Sequence, residues 1–365
     1  MNICVVALGK IGLPLAVQFA AKGHKVIGAD VNEKVVELVN AATEPFPGEH
    51  DLDVKLKETV GAGLLSATTD TTAAVAASDA VVVVVPLFVD AEGTPDFGWM
   101  DSATKAIAAG LKPGTLVSYE TTLPVGTTRT RWAPMLAEGS GLTPGEDFHL
   151  VFSPERVLTG RVFADLRRYP KLVGGIDEAS AAAGVAFYEA VLDFDEREDL
   201  PRPNGVWDLG TAEASELAKL AETTYRDVNI GLANQFARFA DQNDIDVKKV
   251  IEACNSQPYS HIHQPGIAVG GHCIPIYPRM YLWNDPRRPS YARPARPTPR
   301  CPSTPSTCWP PPTATWTASA SWCWAPPTAE ASRRPRSPVS SASSRRSRRA
   351  ARCRSSRTRC TPPTS

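Results

Sequence analysis

The chain has 365 residues, enough for two or three domains around a sizeable core, and its 39 Lys and Arg balance its 39 Asp and Glu. A formal net charge of zero gives no electrostatic reason to expect nucleic acid or an anionic membrane as a partner. No stretch reaches the roughly 18 uninterrupted apolar residues of a membrane span, and the apolar N-terminus lacks a basic lead-in, so a cytoplasmic protein is expected.

In chain order, "NICVVALGKIGLPLAVQFAAKGHKVIGADVN" predicts a strand from Ile3 to Ala7, a tight turn, a helix from Leu13 to Ala21, and a second strand from Lys25 to Ala29 ending at Asp30. This is the βαβ pattern of dinucleotide-binding domains, with glycines that let the backbone approach a pyrophosphate and a helix N-terminus facing it. The first glycine of G-x-G-x-x-G is replaced by Ala7. Gly9, Lys10, Ile11 and Gly12 in the turn, with Asp30 and Lys34 beyond it, are the expected cofactor residues. Asp30 is placed to accept hydrogen bonds from ribose hydroxyls, which favours NAD over NADP.

Three more apolar runs follow, Asp79 to Pro86, Gly114 to Thr121 and Phe148 to Glu155. Such runs are what strands covered on both faces look like, so an open parallel sheet is expected. "TTLPVGTT" and "SPERVLTGR" then fall at carboxyl ends of strands, where ligands collect in open α/β sheets.

Residues 211 to 242 carry helical spacing over about eight turns, and Lys219, Thr223 and Arg226 share one face. That face is either a solvated stripe or part of a site. "GGHCIPIYP", residues 270 to 278, places Cys273 behind two glycines and His272, as a nucleophile, a metal ligand or an inert buried thiol. A metal site from His261, His263, His272 and Cys273 matches no common zinc spacing, so no metal is expected.

From Pro286 onward there is no Leu, Ile, Phe, Met or Gly, and the segment cannot build an aliphatic core, so a disordered low-complexity tail is expected. Five of the eight cysteines lie in it, which leaves Cys4, Cys254 and Cys273 in the body and no disulfide framework. The mixture of Trp, Cys, Arg and Pro resembles a GC-rich gene read out of frame. Shifting "SWCWA", residues 321 to 325, to the third base of each codon forces Val, Leu and Gly, and the following triplets permit Ala, Ala, Tyr. The hidden frame can therefore read "VLGAAY", a strand running into a glycine turn. The expected domains are an NAD-binding Rossmann domain at 1–200, a helical central and dimerisation domain at 201–285, and the tail at 286–365.

"SPERVLTGR", "ELAKLAETTYRDVNIGLANQFA" and "PGIAVGGHCIPIYP", in that order after the cofactor fingerprint, resemble the UDP-glucose/GDP-mannose dehydrogenase family over residues 1 to 285. The wording is closer to the UDP-N-acetylhexosamine branch, that of UDP-N-acetyl-D-mannosamine or UDP-N-acetylglucosamine 6-dehydrogenases. The resemblance implies a Rossmann-type doubly wound α/β fold, a homodimer through the long helix, and two-step oxidation of a UDP-sugar C6 alcohol to the uronate with two NAD. It implies Cys273 as the nucleophile, through a thiohemiacetal and a thioester, Glu155 as general base and Lys219 as oxyanion stabiliser. Thr122 and Thr223 would hold the catalytic water, and Pro86, Val125 and Gly126 would lie by the cofactor. Arg156, Arg226, Gly266, Gly270, Gly271 and His272 would meet the substrate.

The chain departs from the family pattern at several places. Thr223 stands where the family has Asn, Tyr277 where it has Asp, and "VPLF" at 85–88 where a Thr-Pro is usual. The family's third domain, which grips the uridine, has no counterpart in the tail as written, so a polypeptide that binds NAD but turns over poorly is expected. Two other functions stay open. A β-hydroxyacid dehydrogenase would need no cysteine. A catalytically impaired NAD-binding dimer would bind cofactor without turnover.

Overall fold

The computed structural model of the chain describes residues 1–90, 93–270 and 273–285. The expectations for Gly271, His272 and the segment from residue 286 fall outside them. The first half runs β1 (Asn2–Val6), α1 (Gly12–Ala21), β2 (Lys25–Ala29), α2 (Glu33–Asn40), α3 (Leu52–Gly61), β3 (Leu65–Thr68), α4 (Thr71–Ala76) and β4 (Ala80–Val83). A short ribbon, β5 (Phe88–Val89) with β6 (Pro95–Asp96), leads to α5 (Gly98–Gly110) and β7 (Leu116–Tyr119). A π-helical turn at Thr128–Trp132 runs into α6 (Ala133–Ser140), followed by β8 (His149–Phe152), α7 (Val162–Arg168), β9 (Lys171–Gly175), α8 (Glu178–Val191) and β10 (Val206–Thr211). The helical part is α9 (Ala212–Gln242), α10 (Val247–Asn255) and α11 (Tyr277–Asn284).

One sheet holds eight of these strands in the order β10-β9-β8-β7-β4-β1-β2-β3. Alternation sends Ile3 and Val5 to a core under α1 and α8, and Cys4 and Val6 to a core under α5 and α6. Burial on both faces explains why the strands read as unbroken Val, Ile and Leu runs. Phe19 meets Phe187 edge-on at 5.8 Å in the first core, and Tyr119 stacks on Trp132 at 4.6 Å in the second.

The sheet is mixed: the strands expected from the sequence run parallel, and the reversal is confined to the β10–β9 edge. The six strands from β8 to β3 are parallel, but β9 pairs antiparallel with β8, through Val151 with Gly175 and Phe152 with Gly174. β10 then follows β9 in parallel. After the seven-residue α7 the chain re-enters the sheet from the edge where β8 leaves it. Lys171, at the first position of β9, is thereby set beside the loop that follows β8.

The turn after β1 explains both the glycine that is kept and the one that is missing. Ala7 has φ +76°, a left-handed conformation that costs a non-glycine residue on the order of 1 kcal/mol. At Gly12 a Cβ would lie 1.9 Å from the Ala7 carbonyl oxygen, so α1 can approach β1 this closely only with glycine there. Gly12→Ala should therefore destabilise the chain by about 1–3 kcal/mol, and Ala7→Gly should leave it as stable or more so. Denaturant midpoints of the two variants against wild type check both directions.

Candidate active site

β1, β7 and β8 are parallel, so the loops after them leave the sheet at one edge. The loop after β1 is the cofactor turn. Asp30 holds it from β2, accepting from the Leu8 N–H at 2.7 Å and from the Asn32 N–H at 2.9 Å. The carboxylate so fixed keeps lone pairs for a ribose hydroxyl.

The N-terminus of α1 has no side-chain cap and no acidic residue in its first turn. A Cβ at Gly9 would meet nothing within 4 Å, so the turn presents open space in front of the helix dipole. These residues fit a dinucleotide pyrophosphate. Lys10 is exposed, Ile11 half-buried, and Lys34 lies exposed in the first turn of α2.

A cavity of about 230 Å³ opens at this turn, lined by Gly9, Lys10, Phe46, Glu49, Leu52 and Thr159 among others. Glu49 fastens its far wall. Its carboxylate accepts from the Gly160 N–H at 2.5 Å and the Val162 N–H at 2.6 Å, tying the segment after α2 to the loop after β8.

The sequence-predicted catalytic residues converge where the loops after β7 and β8 meet α9 and the start of α11. The Lys219 ammonium, on the buried face of α9, donates to the Glu155 carbonyl at 2.7 Å. It faces Glu222, Cys273 and the Glu155 carboxylate, and burial pulls its pKa below the ordinary lysine value. Cys273 is half-buried. Tyr277, one turn further on, donates its N–H to the Cys273 carbonyl at 3.0 Å, and its phenol lies against the Cys273 thiol and the buried Thr122 hydroxyl. Burial raises the Tyr277 pKa, so the phenol stays neutral.

Thr223 is buried and donates back to its own helix, to the Lys219 carbonyl at 2.9 Å and the Leu220 carbonyl at 3.1 Å. It can offer a water only its lone pairs. Arg156 donates to the Pro170 carbonyl and lies 3.9 Å from Glu222. By contrast Cys4 is a core residue whose thiol pKa burial pushes up to about 12.

Other expected residues lie outside that cluster. Arg226 is exposed on α9 and faces His263. Gly266 is held by its N–H on Asn234 Oδ1 at 2.8 Å, and a Cβ at Gly270 would meet nothing within 4 Å. Pro86 is exposed beyond the end of β4. Among the described residues no group of three His, Cys, Asp or Glu converges to hold a metal ion.

Several site-building residues escaped the sequence reading. Glu216, fully buried on α9, accepts from the Gly126 N–H at 2.5 Å, the Thr128 N–H at 2.9 Å and the Thr128 hydroxyl at 2.7 Å. Asn284, at the end of α11, accepts from the Val125 N–H at 2.8 Å. The Thr122–Thr128 loop is thus held from both helices. Asn229 and Asn255 do the same for the segment before Gly266, binding the main chain of His261, Ile262 and His263. A polar residue one turn from Lys219 on the same face was the available signal for Glu216, but no local rule names its partner.

Residues 1–192 match the NAD binding domain of the UDP-glucose/GDP-mannose dehydrogenase family, and residues 213–292 match its central domain. The chain belongs to the UDP-glucose/GDP-mannose dehydrogenase family. It is 36% identical over 286 residues to the UDP-N-acetyl-D-mannosamine dehydrogenase of Pyrococcus horikoshii, a match that covers 78% of this chain and 64% of the relative. With that enzyme of Campylobacter jejuni the identity is 34%, over 81% of this chain and 70% of the relative. The solved Pyrococcus horikoshii structure superposes with a TM-score of 0.71 at 34% identity, covering 78% of this chain and 64% of that one. The Staphylococcus aureus UDP-N-acetyl-mannosamine dehydrogenase superposes with 0.66 at 32%, covering 75% and 63%. The chain thus spans less than two thirds of the length of the Pyrococcus relative. The family fixes NAD as the cofactor of the N-terminal domain.

Burial pushes the Glu216 pKa up to about 7 despite its three hydrogen bonds. The folded state therefore binds a proton that the unfolded chain releases near the ordinary glutamate value. The stability this proton brings is complete below that value and lost as pH rises through about 7. Glu216→Gln, with no charge to bury, should gain on wild type as pH rises across this window, as read from denaturant midpoints at its two ends.

Proposed function

We propose that the chain carries the NAD-dependent nucleotide-sugar 6-dehydrogenase site of its family, and that the substrate is a UDP-N-acetylhexosamine. The observation that carries this is the meeting of Cys273, Lys219 and Glu155 at the edge where the cofactor turn opens. The names of the relatives, all UDP-N-acetyl-D-mannosamine dehydrogenases among the most similar, support the acetylated sugar.

NAD when bound supplies the hydride acceptor for both oxidations. Lys219, its charge aimed into a dry corner, stabilises the oxygen at C6 as negative charge develops there. Cys273 attacks the C6 aldehyde to form a thiohemiacetal, and oxidation of that adduct leaves a thioester on its sulfur. Water held near Thr122 then cleaves the thioester, and Glu155 takes the water's proton. Arg156, Arg226 and the open positions Gly266 and Gly270 would bind the sugar nucleotide. Exposed Leu217, Tyr225 and Phe239 on α9, with Val250 on α10, suit the second copy of a homodimer built on the long helix. Among the described residues no helix is long and apolar enough to cross a membrane, which fits a cytoplasmic biosynthetic enzyme.

A second reading rests on Tyr277. Its neutral phenol occupies the space beside Cys273 and Thr122 where the family pattern has a carboxylate. On that reading the chain binds NAD without turning over.

Incubation with NAD and a panel of UDP-sugars separates these. Turnover should yield two NADH per sugar, with no more than one from Cys273→Ala. Lys219→Met should lower kcat on the order of 100- to 1,000-fold. An unchanged Cys273→Ala would sink the thioester route and favour cysteine-independent hydride transfer. NAD binding without NADH from any sugar, with turnover gained by Tyr277→Asp, would establish the impaired reading.

A further inference from the structure

Behind Glu155 the sheet buries a charge cluster that no expected role uses. The Lys171 ammonium, at the start of β9, donates to Glu120 Oε2 at 2.8 Å and to Glu155 Oε2 at 2.9 Å. The side chains of Lys171 and Glu120 are 4% and 0% exposed, and that of Glu155 is 12% exposed. From α8, Tyr188 donates to Glu120 Oε1 at 2.6 Å and shares a 2.7 Å hydrogen bond with Ser118. The Lys171 ammonium also sits 4.7 Å over the Tyr188 ring. Glu155 Oε1 accepts from the Arg156 N–H at 2.7 Å, and the Glu155 carbonyl receives Lys219.

Lys171 divides one positive charge between two buried carboxylates, and of the two it is Glu155 that has a second ammonium, Lys219, in reach, so with both ionised the charge on Glu120 is left under-compensated. An uncompensated charge in such a place is costly, so one acid binds a proton. The surroundings decide which. Glu155 is the less buried of the two and lies in reach of the Lys219 charge as well as that of Lys171. Glu120 has no exposure, takes its positive charge from Lys171, and faces the Glu155 carboxylate and the neutral Tyr188 hydroxyl, which is itself bonded to Ser118.

We propose that Lys171 and Glu120 form a buried positioning pair. Glu120 holds the one shared proton, Lys171 keeps Glu155 ionised, and the Glu155 main chain so fixed aims Lys219 at the reacting oxygen. The pKa directions agree: burial raises that of Glu120, while the Lys171 charge holds that of Glu155 below the ordinary glutamate value. The proposal rests on the dehydrogenase reading for its kinetic consequence but not for the place of the proton.

The test uses the full chain with Lys171→Met, Lys171→Arg and Glu120→Gln, each checked for its fold by circular dichroism and thermal midpoint. Infrared difference spectra on titration through neutral pH should show a buried protonated-carboxyl C=O band in wild type that is absent from Glu120→Gln. The band present unchanged in Glu120→Gln, or absent from wild type, overturns the assignment. In turnover assays Lys171→Met should shift the acid limb of the kcat profile to higher pH and lower kcat at neutral pH at least tenfold, with KM little changed. Lys171→Arg should restore the limb. A folded Lys171→Met with an unmoved limb overturns the positioning role. If no UDP-sugar is turned over by wild type, the dehydrogenase reading fails while the band still decides where the proton sits. Should the Lys171→Met chain not fold, Lys171→Gln, which also removes the charge, is read in its place by the same criteria.

Discussion

The bond from the Lys219 ammonium to the Glu155 carbonyl, 2.7 Å long, joins the helical part of the molecule to the edge of the sheet. Everything in the candidate site depends on that joint. It sets a cation from α9 against a loop that begins where β8 ends, and it faces Cys273 at the entrance to α11. A lysine is suited to this place because its single charged nitrogen can satisfy a carbonyl while its remaining donors stay free for an oxyanion. Burial then lowers its proton affinity and raises the worth of its charge to a ligand.

Around this joint the polar groups work mainly on main chain. Glu216 and Asn284 fix the loop after β7, Glu49 fixes the loop after β8, and Asn229, Asn234 and Asn255 fix the approach to the glycine-rich segment. Loops are otherwise the most variable parts of a fold, so a site built on three of them needs such fasteners to hold its geometry. Carboxylates and carboxamides suit the task because each can receive two donors at once. The antiparallel return of β9 belongs to the same design, since only that direction puts Lys171 at the site edge.

Much of the fold was legible. The first βαβ unit, the strands β4, β7 and β8, and the helix α9 stand where their apolar periodicity and glycines predicted, to within a few residues. The site was legible as a list of residue types, because Cys273, Lys219, Glu155 and Thr122 sit in motifs that resemble one family. The departures were legible too, but not their consequence. Ala7 in place of glycine reads as a flaw in a fingerprint, yet the structure keeps the turn by accepting a left-handed alanine. Tyr277 in place of an acid reads as a lost carboxylate, and the structure adds that its phenol fills the space beside the thiol.

What the sequence alone determined about this protein is what short-range physics controls: which segments bury both faces, where the chain turns, and which thiols, acids and cations the chain carries. The tertiary structure alone decided direction and partnership. The reversal of β9, the pairing of Lys171 with Glu120 and Glu155, and the seat of Glu216 on the Gly126 loop all join residues 16 to 90 positions apart. Their energies come from desolvated charges whose counter-charges are supplied by other elements, and no window along the chain contains both halves of such a pair.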